Sequence, residues 1–337
     1  MRFSLSQPLF IHELGQRSNQ EDSLFPFDGQ ATVADRLFIL CDGMGGHEAG
    51  EVASASVCES LGWWFRKHFP SDAVLTTSIF NEALSAAYDD LVARDKGTSE
   101  KKMGTTMTFL MFHAGGATIA HIGDSRVYHL RPGVAKPLFK TNDHSLVNDL
   151  IRLGEITEEE ARTSPNRNVI TRAMQPEAER RAKADIQLIT DVQSGDWFYL
   201  CSDGMLERMN DDELVHLITD PTLSPEEKRA ELIRRTAENR DNHSAWLIQV
   251  AEVEGAPMVS AEETAETEPV VMELSVKEIE SQTNQPVQKR KKHWILLMLV
   301  GLLALALLFW IFRNPLFQSR CQNNQNVETF ETVETDE

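Results

Sequence analysis

Cysteine is scarce in this chain: four residues in 337, at Cys41, Cys58, Cys201 and Cys321. They are too few and too scattered to staple a small fold, and no CxxC pair is present to hold a structural zinc. Basic residues are also short, 33 Lys and Arg against 52 Asp and Glu, for a formal net charge of −19. So acidic a chain repels the polyanionic backbone of nucleic acid, which is excluded as a non-specific partner. The opening stretch MRFSLSQPLF has one Arg and no long apolar run, so no secretory signal is expected there. No internal repeat runs along the chain. What remains, 41% apolar and 25% charged residues, is ordinary for a globular protein with a sizeable core.

One long apolar run does exist. Trp294–Phe312 reads WILLMLVGLLALALLFWIF, without a charge. At about 1.5 Å per residue it reaches roughly 28 Å, close to the hydrocarbon thickness of a bilayer. Trp294 and Trp310 stand near its ends, where amphipathic rings prefer the interface. A buried core helix is the alternative, but the short terminus offers nothing to surround one. Lys289, Arg290, Lys291 and Lys292 precede the run, and only Arg313 and Arg320 follow it. The positive-inside pattern therefore predicts a single span at 294–312, with residues 1–293 cytoplasmic and 313–337 outside. A reducing cytoplasm suits free thiols at Cys41, Cys58 and Cys201. Cys321 would face outward, idle or pairing between chains.

Residues 251–288 hold nine Glu and the single Lys277. They predict a disordered, self-repelling linker that ends in the basic run, over 251–293 in all. The tail 313–337 is polar and then acidic, and is expected to be disordered.

Residues 1–250, with 26 basic and 38 acidic side chains, read as one domain. Strands are predicted at Leu37–Cys41, Thr106–Phe112, Thr118–Ile122, Arg126–Leu130, Asp185–Ile189, Trp197–Cys201 and Ala245–Val250. Helices are predicted at Ala49–Phe69, Ile79–Ala93, Asp211–Thr219 and Pro225–Asn239, with Asp211 and Ser224 as N-caps. On the first helix, Val52, Ser56, Val57, Leu61, Trp64 and Phe65 fall near one face. Two helices in succession, then several strands, suit α+β layering better than an alternating parallel sheet. Residues 142–180, polar and carrying Pro165 and Pro176, look like an excursion from the sheet.

Five short blocks and a closing pair carry the chemistry: Gly15-Gln16-Arg17-Ser18-Asn19-Gln20-Glu21-Asp22, Leu40-Cys41-Asp42-Gly43-Met44-Gly45-Gly46-His47, Gly104-Thr105-Thr106, His121-Ile122-Gly123-Asp124-Ser125-Arg126, Leu200-Cys201-Ser202-Asp203-Gly204, and Asp241-Asn242. Asp42, Asp124 and Asp203 share a local grammar, each following an apolar strand-like run at a Gly-containing turn. One such Asp-Gly is most simply a hairpin turn. Three of them, with the acidic pair Glu21-Asp22, suggest carboxylates converging from separate strands. Converging hard oxygens suit Mg²⁺ or Mn²⁺, and without a cation they would repel one another and rise in pKa. Arg17, close to the acidic pair, offers a two-pronged fork for phosphate, although a surface Arg would look the same. Cys41 and Cys201, as strand neighbours of site residues, should point away into packing.

In order and spacing these blocks resemble the metal-dependent protein phosphatase family, the type 2C Ser/Thr phosphatases, in its bacterial form, over about residues 10–250. Thr141-Asn142-Asp143-His144-Ser145, Leu153-Gly154-Glu155-Ile156 and Asn168-Val169-Ile170-Thr171-Arg172-Ala173 look like the family's segment leading into and through its flap. The resemblance implies a four-layer αββα sandwich of two antiparallel sheets flanked by helices, with two Mn²⁺ or Mg²⁺ ions at one end. It implies Asp42 bridging the metals and the Gly43 carbonyl binding one of them. Asp203 and Asp241 would complete the other, Glu21 and Asp22 would contribute directly or through water, and Arg17 would hold the substrate phosphate. Asp124 would join Asp203 in a weaker third site. The implied reaction is hydrolysis of phosphoserine or phosphothreonine by a water or hydroxide between the two metals, with no phosphoenzyme.

The chain departs from some members of the family at two places. Met44 stands where they carry a His proposed to protonate the leaving group, so the acid is unassigned, metal-bound water or another group, with His47 and His144 as nearby candidates. Glu207 stands where some place a further Asp of the third site. Three other readings compete: a catalytically silent phosphatase-fold binding module, a receptor whose outer tail matters most, and a metallohydrolase of small phosphoesters. The silent module would call for substitutions at Asp42, Asp203 or Asp241, and these are all intact. The expected partners are Ser/Thr-phosphorylated proteins and, as a natural opponent, a Ser/Thr kinase in the same membrane.

Overall fold

Strands buried on both faces read as unbroken apolar runs, because helices cover one side and a second sheet covers the other. The computed structural model describes residues 1–45, 48–70, 72–96, 103–166, 169–176 and 181–258, all within one compact unit. In chain order the elements are β1 (Arg2–Leu5), β2 (Leu9–Glu13), β3 (Asp22–Phe25), β4 (Leu37–Met44), α1 (Glu48–His68), α2 (Thr77–Arg94), β5 (Gly104–Thr105), β6 (Met107–His113), β7 (Gly116–Ile122), β8 (Arg126–Leu130), β9 (Phe139–Lys140), α3 (Leu146–Arg152), α4 (Glu158–Thr163), β10 (Asp185–Ile189), β11 (Trp197–Cys201), a 3-10 turn (Asp203–Leu206), α5 (Asp211–Thr219), α6 (Pro225–Thr236) and β12 (His243–Glu254).

One antiparallel sheet runs β1-β12-β11-β8-β9, and β2 pairs β12 as well. The other runs β10-β7-β6-β4-β3, with β5 on β4. Alternate side chains sort into three cores. Phe38 and Leu40 of β4 meet Phe198, Leu200, Trp246 and Ile248 between the sheets. Ile39 and Cys41 turn the other way, onto Val57, Leu61, Phe80 and Leu84 of α1 and α2. Trp197, Tyr199 and Cys201 of β11 pack against Leu214, Ile218 and Leu232 of α5 and α6. These are the four layers of the expected αββα sandwich, and Cys41 and Cys201 are packing residues, free and buried.

Several local expectations need correction. Asp211 is not the N-cap of α5. Asn210 is, and its side chain accepts from the Glu213 amide in a capping box. Ser224 caps α6 as expected, but that helix ends at Thr236, short of Asn239. On α1, Ser56, Val57, Leu61 and Phe65 are buried as expected, but Val52 is exposed and Trp64 half-buried, while Ala53, Ser54 and Cys58 are also buried, so the buried face is shifted in part from the predicted one. Strand β12 continues past Val250 to Glu254, because β1 pairs with its far half while β2 pairs with its near half. Strands β1, β2 and β3 are short and interrupted by polar residues, which hid them. The excursion at 142–180 contains α3 and α4, each capped by a hydroxyl.

Among the described residues no helix is long and apolar enough to cross a membrane. The predicted span 294–312, the basic run and the tail with Cys321 lie outside the described residues, as do Gly46, His47 and Asn168.

Candidate metal centre

Antiparallel pairing puts the C-terminal ends of β2, β4, β7 and β11 beside the N-terminal ends of β3 and β12. The register shows it directly: Asp22 pairs with Asp42, Cys201 with Ala245, and Glu13 with His243. Every predicted site residue therefore arrives at the same end of the sandwich. Asp42 and Gly43 close β4, Asp22 opens β3 with Glu21 before it, and Asp124 sits in the turn between β7 and β8. Asp203 opens the 3-10 turn after β11, and Asp241 lies in the loop before β12. Arg17 stands at the rim, in the loop between β2 and β3, with its Nη2 2.6 Å from Asp241 Oδ2.

Their electrostatics are those of crowded acids. Burial, then repulsion from Asp22, Asp203, Asp124 and Asp241, drives the Asp42 carboxyl well above its usual range. Burial likewise pushes Asp22 and Asp124 up to about 7, with Asp203 adding to both. Asp203 is pushed up to about 6, by burial first and then by Asp241 and Asp143. Its side chain still meets solvent, so it is crowded from the protein side only. Asp42 and Asp203 approach within hydrogen-bonding reach of each other.

The donor set fits a divalent cation. Asp22 Oδ1 and Asp124 Oδ1 are buried with no hydrogen-bond partner, an arrangement that costs free energy unless something positive faces them. All the candidates are hard oxygens, the ligand type that Mn²⁺ and Mg²⁺ prefer. The backbone is tight around them. A Cβ on Gly43 would lie 2.2 Å from Gly50 O and 2.6 Å from Glu21 O, so only glycine fits at that strand end. The Asp42 carbonyl accepts from the Thr106 amide at 2.8 Å and the Thr105 hydroxyl at 2.9 Å, which gives the Gly104-Thr105-Thr106 block its purpose.

Sequence reasoning placed two supporting residues in the motif blocks but gave them no role. Ser202 Oγ donates to Asp22 Oδ2 at 2.9 Å. Asn242 is buried and spends its amide on the backbone of residues 14–21. Adjacency to a motif Asp was the only available signal for either, since both contacts cross more than 170 residues of chain.

Two expectations from the family's departures fare differently. Glu207 Oε2 accepts from the Arg240 amide at 2.7 Å, so its carboxylate braces the loop that carries Asp241. His144 has both ring nitrogens engaged, with Arg172 Nη1 as well as Asp185 facing Nε2. Its Nδ1 accepts from the Gly123 amide at 3.1 Å, which leaves the ring hydrogen on Nε2, 3.1 Å from Asp185 Oδ2. His121, His144 and Asp185 bring ligand atoms within 4.8 Å of one another, but the Arg172 guanidinium, 2.7 Å from Asp185 Oδ1, already supplies positive charge there.

A two-sheet sandwich that gathers so many acids at one end, with an arginine at the rim, has the architecture of the metal-dependent phosphatases. Residues 13–247 match the family model described as "Protein phosphatase 2C", and the chain belongs to that family. It is 30% identical over 246 residues to the protein phosphatase PhpP of Streptococcus pneumoniae, covering 72% of this chain and 96% of PhpP. It is 32% identical over 209 residues to the Ser/Thr phosphatase PstP of Mycobacterium tuberculosis, covering 62% of this chain but only 38% of PstP. Among solved structures, the catalytic domain of PstP in complex with two manganese ions aligns with a TM-score of 0.60 and 29% identity, over 74% of this chain and all of that one. The chain is accordingly a protein-serine/threonine phosphatase by family and fold.

Proposed function

We propose that this protein hydrolyses phosphoserine and phosphothreonine in proteins with two Mn²⁺ or Mg²⁺ ions, from the cytoplasmic face of a membrane. The observation that carries the reading is the convergence of Asp22, Asp42, Asp124, Asp203 and Asp241 with two orphaned carboxylate oxygens. Asp42, the Gly43 carbonyl, Asp203 and Asp241 would hold the ions, with Glu21 and Asp22 beside them. Asp124 would serve a weaker third position. When bound, such ions lower the pKa of a water and offset phosphoryl charge.

The chain's own residues do the rest. Arg17 takes the phosphate oxygens, which compete with Asp241 for its guanidinium. Thr105 and Thr106 hold the Asp42 strand end in place, and Gly43 keeps the backbone close to Glu21. Ser202 orients Asp22. The proton for the leaving Ser or Thr oxygen would come from a water at the site or from a side chain such as His47, which lies outside the described residues.

Membrane attachment is proposed from the apolar run 294–312 and the basic residues before it. Tethering would raise the local concentration near membrane phosphoproteins and an opposing Ser/Thr kinase. The test is turnover of a phosphothreonine peptide by the full chain with and without Mn²⁺, beside Asp203→Asn. We expect Mn²⁺-dependent turnover, cut about a hundredfold or more in the variant. A folded protein that binds Mn²⁺ without turnover would point instead to a silent binding module. For the anchor, the full chain should sediment with membranes and a chain ending at 258 should not.

A further inference from the structure

We propose that Asn242 is the positioning residue that sets the phosphate-binding loop against the metal-side aspartate, a role that rests on the phosphate-binding function given to Arg17 above. Asn242 precedes β12, and its side chain is 4% exposed. An asparagine amide has two N–H donors and one carbonyl acceptor. Here all of them go to one loop. Nδ2 donates to Leu14 O at 2.8 Å and to Asn19 O at 3.1 Å, and Oδ1 accepts from the Glu21 amide at 2.8 Å. Leu14 and Asn19 bracket Arg17, and Glu21 follows. One buried side chain thus fixes both ends of the turn that presents the guanidinium.

The same contact is closed from the other side. The Gln16 amide donates to Arg240 O at 3.0 Å. Gly15 adopts φ +64°, and a Cβ there would lie 2.2 Å from Asp241 O. Asp241 itself is held between the two partners. Its Oδ1 accepts from the Asn242 backbone N–H at 2.9 Å and its Oδ2 from Arg17 Nη2 at 2.6 Å. Long, half-exposed arginines lose much rotamer freedom on binding, so a loop held in place by a buried amide lowers the cost of ordering the fork around phosphate. An ordinary structural amide would affect stability and kcat without singling out phosphate.

The test is a double-mutant cycle on the full chain at saturating Mn²⁺, reading KM for a phosphothreonine peptide and inhibition by inorganic phosphate. Asn242→Asp keeps the acceptor for Glu21 but replaces both donors with oxygen facing two carbonyls. It should raise KM and the phosphate inhibition constant about tenfold while kcat changes less. In an Arg17→Ala background the same change should add less than about twofold, because the group it positions is gone. Gly15→Ala leaves the Asn242 amide intact and pushes the loop away from Asp241. It should reproduce the same pattern, and it carries the test if Asn242→Asp fails to fold. Effects that multiply across the cycle would overturn the proposal. If Arg17→Ala leaves phosphate binding unchanged while turnover stays Mn²⁺-dependent, the assigned role of Arg17 falls and the latch with it. Loss of all turnover in the unmutated chain would strike at the phosphatase reading instead.

Discussion

At the scale of single residues, the difference between Asn210 and Asp211 shows how neighbours of similar chemistry take different work. Asn210 has the extended backbone of an N-cap and accepts from the Glu213 amide at 3.0 Å. Asp211, one step on, turns its carboxylate to Tyr128 OH at 2.8 Å, Lys140 Nζ at 2.6 Å and Arg126 Nη1 at 3.1 Å. Both are good cap residues by type, so the choice belonged to the partners waiting on β8 and β9. We expect Asn210→Ala to lower the unfolding free energy by about 1 kcal/mol and Asn210→Asp to leave it nearly unchanged. The urea midpoint reads both. Equal loss in the two variants would show that the cap acceptor is not what matters.

At the scale of elements, the sandwich is held across its middle by Trp246 of β12. Its ring is fully buried among Phe10, Phe38 and the inner faces of both sheets, and its Nε1 donates to Ile39 O of β4 at 3.2 Å. Trp246→Ala should cost about 3–5 kcal/mol, since it leaves a cavity and takes the stronger of two side-chain donors from the Ile39 carbonyl, which keeps only Cys58 Sγ. Trp246→Phe should cost less, and thermal unfolding orders the two. A smaller tether joins the outer helices. Lys228 of α6 is buried and donates to Leu223 O at 2.9 Å and also to Asp220 O, the C-cap of α5. Burial pulls its ammonium below the usual range, while Asp220 and Glu227 oppose that. Lys228→Met keeps the apolar stem but not the donors. It should fray the α5–α6 connection, seen as faster amide exchange at the end of α5.

At the scale of the whole molecule, the crowded acids make stability depend on pH and metal together. The folded pKa values of Asp22 and Asp124 are near 7 and that of Asp203 near 6, above the ordinary value close to about 4. The folded protein therefore keeps protons that the unfolded chain has released. In metal-free protein the contribution of these acids is fully present below about pH 4 and is lost as pH rises through about 7. His113 works the opposite way. Burial lowers it to about 4, so its contribution is lost as pH falls from about 6.5 towards 4. Mn²⁺ favours the deprotonated acids, so its stabilisation should be larger at pH 8 than at pH 5. Melting curves in EDTA and in Mn²⁺ across that range check the sign. A metal effect that shrinks with rising pH would contradict this account.

Much of the molecule was legible beforehand. Asp42, Asp124 and Asp203 announced themselves because a strand followed by Gly leaves a local mark. The long helices and the doubly buried strands did so through periodicity and apolar run length. Asn242, Ser202 and the true partner of His144 left no such mark, since a short polar side chain looks alike in a turn, on a surface or in a hub. By itself, then, the sequence determined most of the segments that form buried strands and long helices and which acids stand at strand ends. Those properties depend on chain-local spacing and hydrophobicity. Only the tertiary structure decided which acids crowd enough to shift their proton affinity, and which amide binds the backbone of the loop on either side of Arg17. Those depend on distances across residues far apart in the chain, and antiparallel registry sets them only after the sheets have formed.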